Sequence, residues 1–190
     1  LQKIQDILEF DKDFQVTSKE IHIKKNTYVS EKSIIIFNKE NEIYFHNNAI
    51  LFSNGNLSFI GSKNEPIKIK EFNKKNGSIV QLGGVFFSDN LVVEDLNRPN
   101  INQNILYGGI NLINSEVSIN NTRILNSNSE DAINIIHSNS YIHDLLIEKS
   151  LSDGLDIETL RCPIRIDNQI FKSNKAAPIV GQDTRSIIKE

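Results

Sequence analysis

Between Gly108 and Glu158, apolar and polar residues alternate over short runs, INLI and VSI, then INII and YIHDLLI, with Asn, Asp, Ser and Gly between them. Alternation at period two is the mark of a strand with one buried face; a helix needs apolar positions three and four apart. The runs also recur. GGINLINSEVSINNTRI from Gly108 matches DAINIIHSNSYIHDLLI from Asp131 without a gap, at an offset of 23 residues. Ile110 falls on Ile133, Leu112 on Ile135, Ser115 on Ser138, Ile119 on Ile142, Asn121 on Asp144 and Ile124 on Ile147. DGLDI from Asp153 repeats DAINI once more and continues as IRIDNQIF, where Asn168 takes the place of Asp144. Upstream, GGVFF at Gly83 overlays GGINL at Gly108, with the extra length assigned to the polar stretch from Asp89 to Asn104.

A repeat of this length with three short strands and no room for a helix predicts a parallel β-solenoid. Equivalent positions of successive coils then stack about 4.8 Å apart and bury ladders of Ile. The LxxLxLxxN spacing of leucine-rich repeats is missing. EIHIKKNTYVSEKSIIIF, NEIYFHNNAILF and NLSFIGSKNEPIKI extend the strand pattern upstream. The expectation is an all-β, single-stranded, right-handed parallel β-helix over residues 21–190, of about seven coils; its hand rests on the bias of parallel crossovers together with the family resemblance given below. Residues 1–20 read as a lead-in or cap, with IQDILEF as a short amphipathic helix shielding the open end.

Composition narrows this further. The chain of 190 residues holds 31 Ile and 25 Asn against 4 Ala, which suits pleated strands and turns rather than helices. A net charge of -3 with mixed signs gives no footprint for a nucleic acid. The single Cys, Cys162, excludes an internal disulfide and a Cys-rich zinc site. No apolar run approaches the roughly 18 residues of a membrane span. The chain opens on Leu1 and contains no Met, as expected of a piece of a longer protein.

ILFSNGNLSFIGSKNEPIKI, with a buried strand leading to a Gly turn, and the acidic turns of NSEDAINI and SLSDGLDIE resemble the pectin-lyase-like β-helix superfamily. The particular form is similar to the β-helix regions of bacterial proteins that carry CotH-type kinase-like domains. The resemblance covers roughly residues 21–190 and rests on short motifs. It implies an extracellular or cell-envelope location and a polysaccharide or cell-surface glycan as partner. It also implies that outward rows on one sheet hold the sugar chain, although one fold hosts many chemistries.

If Ile110, Ile133 and Leu155 point inward, parity sends Asn111, Asn134 and Asp156 outward in one row. Phe86 precedes them if the Gly83 copy aligns as above, and His137 and Glu158 lie at the row's edge. Amides, a carboxylate, an imidazole and an aromatic ring are what a sugar needs, and they are equally what a solvated wall displays. Asp131, Asp153 and Asp156 form a second group. Stacked carboxylates repel one another, and a hard cation such as Ca2+ would relieve that, but Asp in a turn also bonds its own backbone. Asn121, Asp144 and Asn168 are expected as an interior ladder that closes a sharp turn.

Catalysis has weaker support. His137, Asp156 and Arg161 are the only candidates for a base beside a charge-neutralising group, and a hydrolase would draw on Asp131, Asp153 and Asp156. The favoured reading is a non-catalytic module, carbohydrate-binding or a rigid scaffold, because the row lacks an acid–base pair. The alternative is a polysaccharide lyase, epimerase or glycoside hydrolase.

Overall fold

The computed structural model describes residues 8–10, 14–15, 19–72, 77–101, 106–158, 163–172, 174–175, 179–182 and 186–189. All regular structure among them is parallel β, coiled into a solenoid of about six turns. No helix among them is long and apolar enough to cross a membrane, a statement that does not bear on β-barrels. Where IQDILEF is described it is strand: Leu8–Phe10 pairs in parallel with Thr27–Val29.

The first sheet stacks one strand per turn. Its order is Leu8–Phe10, Thr27–Val29, Ile50–Ser53, Ser78–Leu82, Gly108–Ile113, Asp131–Ile136, Leu155–Glu158 and Ile179–Gln182. The second sheet has two limbs. Val85–Asp89 lies on the first limb and Leu91–Glu94 on the second, separated only by Asn90. The following turns run through the corner as long strands, Glu116–Leu125, Asn139–Glu148 and Ile164–Lys172.

In the two turns from Gly108 to Lys149, each corner carries a left-handed residue. Within one turn these are Asn114, Asn121 and Asn126 at φ 50°, 44° and 54°. In the next they are His137, Asp144 and Lys149 at φ 49°, 53° and 64°. Asn and Asp visit this region because a short polar side chain bonds locally, which explains much of the Asn content. The column Asn90, Asn121, Asp144, Asn168 is therefore structural, as expected, but not interior. Asn121, Asp144 and Asn168 are exposed, and Asn121 Nδ2 donates to Asp89 Oδ1 at 2.9 Å. With φ held positive, Asn121→Ala is expected to lose about 1 kcal/mol and Asn121→Gly almost nothing, read from urea midpoints.

The core lies between the sheets. Ile79, Ile110, Ile133 and Leu155 pair in register, as do Ile119, Ile142 and Ile166, and every one of them is buried. Phe37 stacks on Phe59 at 4.9 Å, and Phe59 packs against Phe86 at 5.6 Å. One alignment fails. Gly83 and Gly84, at φ +91° and +62°, form the turn into the second sheet, so GGVFF is not a copy of GGINL. The partner of Ile110 is Ile79, and GSIVQL from Gly77 is the equivalent segment. Ile79 and Ile110 are 31 positions apart, against 23 for Ile110 and Ile133, so successive turns differ in length while keeping register.

Candidate functional site

Register brings the expected row together in part. Asn111 pairs with Asn134 and Asn134 with Asp156, on the face opposite the Ile core. The residue preceding them is Val80, not Phe86. Phe86 pairs with Leu57 and Val117 in the other sheet and is 1% exposed, because the misplaced Gly pair shifted its parity and its sheet. Asn111 and Asn134 are 0% and 1% exposed, so the row is not a solvated wall. Asn111 folds back on its own strand: Oδ1 accepts from the Gly108 N–H at 3.0 Å, and Nδ2 donates to the Gly108 carbonyl at 2.6 Å. The segment after Glu94 is tied to this sheet at both ends. Asn97 N–H donates to Gly77 O at 3.0 Å, and Asp131 N–H to Tyr107 O at 3.2 Å.

His137 and Glu158 do meet at the edge of this sheet, where the His137 N–H donates to the Glu158 carbonyl at 2.8 Å. His137 is exposed and Glu158 half-buried. Arg161 and Cys162 lie outside the described residues.

The carboxylates crowd as the sequence implies. Asp131 is 4% exposed. Its carboxyl is pushed up to about 7, first by burial, then by the charges of Asp156, Asp153 and Glu130. Asp156 is also raised, by burial and by Glu158. Asn134 Oδ1 and Asp156 Oδ1 are buried without a hydrogen-bond partner among the described residues. Among the described residues no three His, Cys, Asp or Glu side chains converge as a metal would require. Asp131, Asp153 and Asp156 are mutually repelling neighbours rather than a formed calcium cage.

The open polar face lies on the first limb of the second sheet. Phe87, Ser118, Tyr141 and Arg165 form one register row, and Asp89, Asn120, His143 and Asp167 the next. None of the eight is buried, while Val117, Ile119, Ile142, Ile164 and Ile166 between them are. Tyr141 is 38% exposed, lies parallel to the His143 ring at 6.3 Å, and has the Arg165 guanidinium 5.5 Å from its centroid. Arg165 Nε in turn donates to Asp167 Oδ2 at 2.8 Å. At the adjoining corner, Lys63, Asn90, Asn121, Arg123 and Asp144 line a groove of about 460 Å³.

A second unforeseen cluster sits on the other limb. His22 pairs with Tyr44, and their rings stack at 5.2 Å; Phe72 packs on His46 at 4.2 Å. Tyr44 donates to Glu42 at 2.6 Å, which pushes its hydroxyl up to about 12 and holds Glu42 below the usual carboxylate range. The signal was present in EIHI over EIYFH, where His and Tyr share an outward parity. Comparison with family models, curated proteins and solved structures gives no match.

Proposed function

We propose that this chain is a non-catalytic β-solenoid module that holds an extended polysaccharide along the first limb of the second sheet. The observation that carries this reading is the pair of unburied rows containing Phe87, Tyr141 and Arg165 beside Asn120, His143 and Asp167. Rings flanked by amide, imidazole and charged groups suit a ligand with apolar ring faces and a hydroxyl rim. Successive turns repeat the positions about 4.8 Å apart, close to the advance of a sugar ring in an extended chain. The resemblance to pectin-lyase-like β-helices and to the β-helix regions of CotH-type bacterial proteins supports the same reading, and with it an extracellular or cell-envelope location.

A lyase, epimerase or hydrolase is the second reading, favoured by the crowding of Asp131 against Asp156 and Asp153, which together with burial pushes its carboxyl up to about 7. Its 4% exposure weighs against direct contact with a polymer.

The test is a screen of acidic and neutral polysaccharides for binding and for chain cleavage. Binding without cleavage by the parent is expected. Tyr141→Ala is expected to weaken it roughly tenfold, equivalent to about 1.4 kcal/mol, while shifting stability by less than about 0.5 kcal/mol. Cleavage lost in Asp131→Asn would establish the enzyme instead. Binding unaffected by Tyr141→Ala would remove this face from the site.

A further inference from the structure

We propose that the polymer held on the first limb is a β-1,4-linked chain of 2-amino sugars with free ammonium groups, an assignment that rests on the reading of that limb as the sugar site. The row Phe87, Ser118, Tyr141 and Arg165 has a carboxylate on either side. Asp89 stands two positions after Phe87, and Glu116 two positions before Ser118 on the strand of the next turn. Period two puts both on the outward face with the rings, about 7 Å to either side of the row. Glu116 is exposed and Asp89 half-buried.

Neither charge is cancelled. Asn121 Nδ2 donates to Asp89 Oδ1 at 2.9 Å, and Asn139 Nδ2 to Glu116 Oε1 at 2.6 Å. A neutral amide holds a carboxylate in place and leaves its charge whole. Among the described residues no cation forms an ion pair with either. Arg165, the cation of the row, is already paired with Asp167, and His143 Nε2 lies 3.2 Å from Asp144 Oδ2. Lys63 and Arg123 share the corner groove with Asp144, and Arg123 pairs with Val92 on the second limb, round the corner from the rings. The ring face is therefore net negative, which repels uronates and attracts ammonium groups.

The two sides of the row specify the linkage. In a β-1,4 chain each ring is turned over relative to the last, so the 2-substituents point alternately to the two sides. Asp89 and Glu116 lie on opposite sides and one turn apart, about 4.8 Å along the axis. Successive amino groups of a chain lying on Phe87 and Tyr141 thus meet one carboxylate each.

The experiment is a binding titration of the whole chain at about pH 6 and low salt. The probes are a β-1,4-linked glucosamine oligomer, its N-acetylated form of the same length, and polygalacturonate. The free amine is expected to bind roughly tenfold tighter than its N-acetylated form, with the difference vanishing by about 1 M salt. Asp89→Asn and Glu116→Gln keep the acceptor of each amide bond and remove only charge. Each is expected to weaken binding of the glucosamine oligomer about threefold and to leave the N-acetylated one unchanged. Glu20→Gln, on the second limb, should change neither. Equal affinity for the two oligomers, with Tyr141→Ala still weakening both, overturns the amino-sugar assignment and leaves the sugar face standing. A preference untouched by Asp89→Asn and Glu116→Gln, or lost equally in Glu20→Gln, overturns it too, as does tighter binding of polygalacturonate. Failure of all three probes to bind overturns the assignment and the sugar face together.

Discussion

Asp131→Asn stabilises the protein at pH 8 by about 2–4 kcal/mol, and by much less at pH 4.5, in urea unfolding at the two pH values. The folded-state carboxyl sits at about 7 against an ordinary 3.8. Below the ordinary value both states hold the proton and no penalty exists. Between 3.8 and about 7 the folded chain still binds a proton that the unfolded chain has released, so stability falls as pH rises. Above about 7 the charged form must be buried beside Asp156, Asp153 and Glu130, and the penalty is complete. An amide keeps the shape and can accept a hydrogen bond as the carboxylate does, but never carries the charge. Equal gains at the two pH values, or none at pH 8, would mean that Asp131 is not the strained acid of this cluster.

Ile133→Ala lowers stability by about 2–5 kcal/mol, read from the same urea midpoints. Ile133 is 0% exposed and is clamped between Ile110 and Leu155 by backbone pairing on both sides. Those neighbours cannot close over the missing methyls without breaking ladder hydrogen bonds, so the cavity persists. The matched comparison is Ile170→Ala, at 55% exposure on a long strand, where a change within about 0.5 kcal/mol is expected. Similar losses in the two variants would contradict the register.

The solenoid and its register between Gly108 and Glu158 were legible because identical parity recurs in adjacent copies, with Ile above Ile and Ser115 above Ser138. Upstream the reading failed where a Gly pair, chosen for positive φ at Gly83 and Gly84, imitated a strand start at Gly108 and Gly109. Parity correctly sent Asn111 and Asn134 to the face opposite the Ile ladders, but it says nothing of what lies over that face. It could therefore not reveal that both amides are buried. The exposed rows of the second sheet went unseen for the opposite reason. Ser118, Tyr141 and Arg165 share a column but no chemistry, so repetition, the only signal available, is absent there. His22 and His46 hydrogen-bond across two strands because His22 pairs with Tyr44, two positions before His46, and nothing in the sequence pattern marks that pair out.

The turn from Ile79 to Ile110 is eight residues longer than the turn that follows it, yet register resumes unaltered. Loop closure explains why such an excursion is tolerated: lengthening the connection into the first sheet from 5 residues (126–130) to 13 (95–107) adds only about 0.8 kcal/mol of entropy. Ladder pairing, by contrast, depends only on the strands at either side. The longer connection between Glu94 and Gly108 thus marks a place where length can vary while the flanking strands, fixed by pairing on both sides, keep the register of the coils.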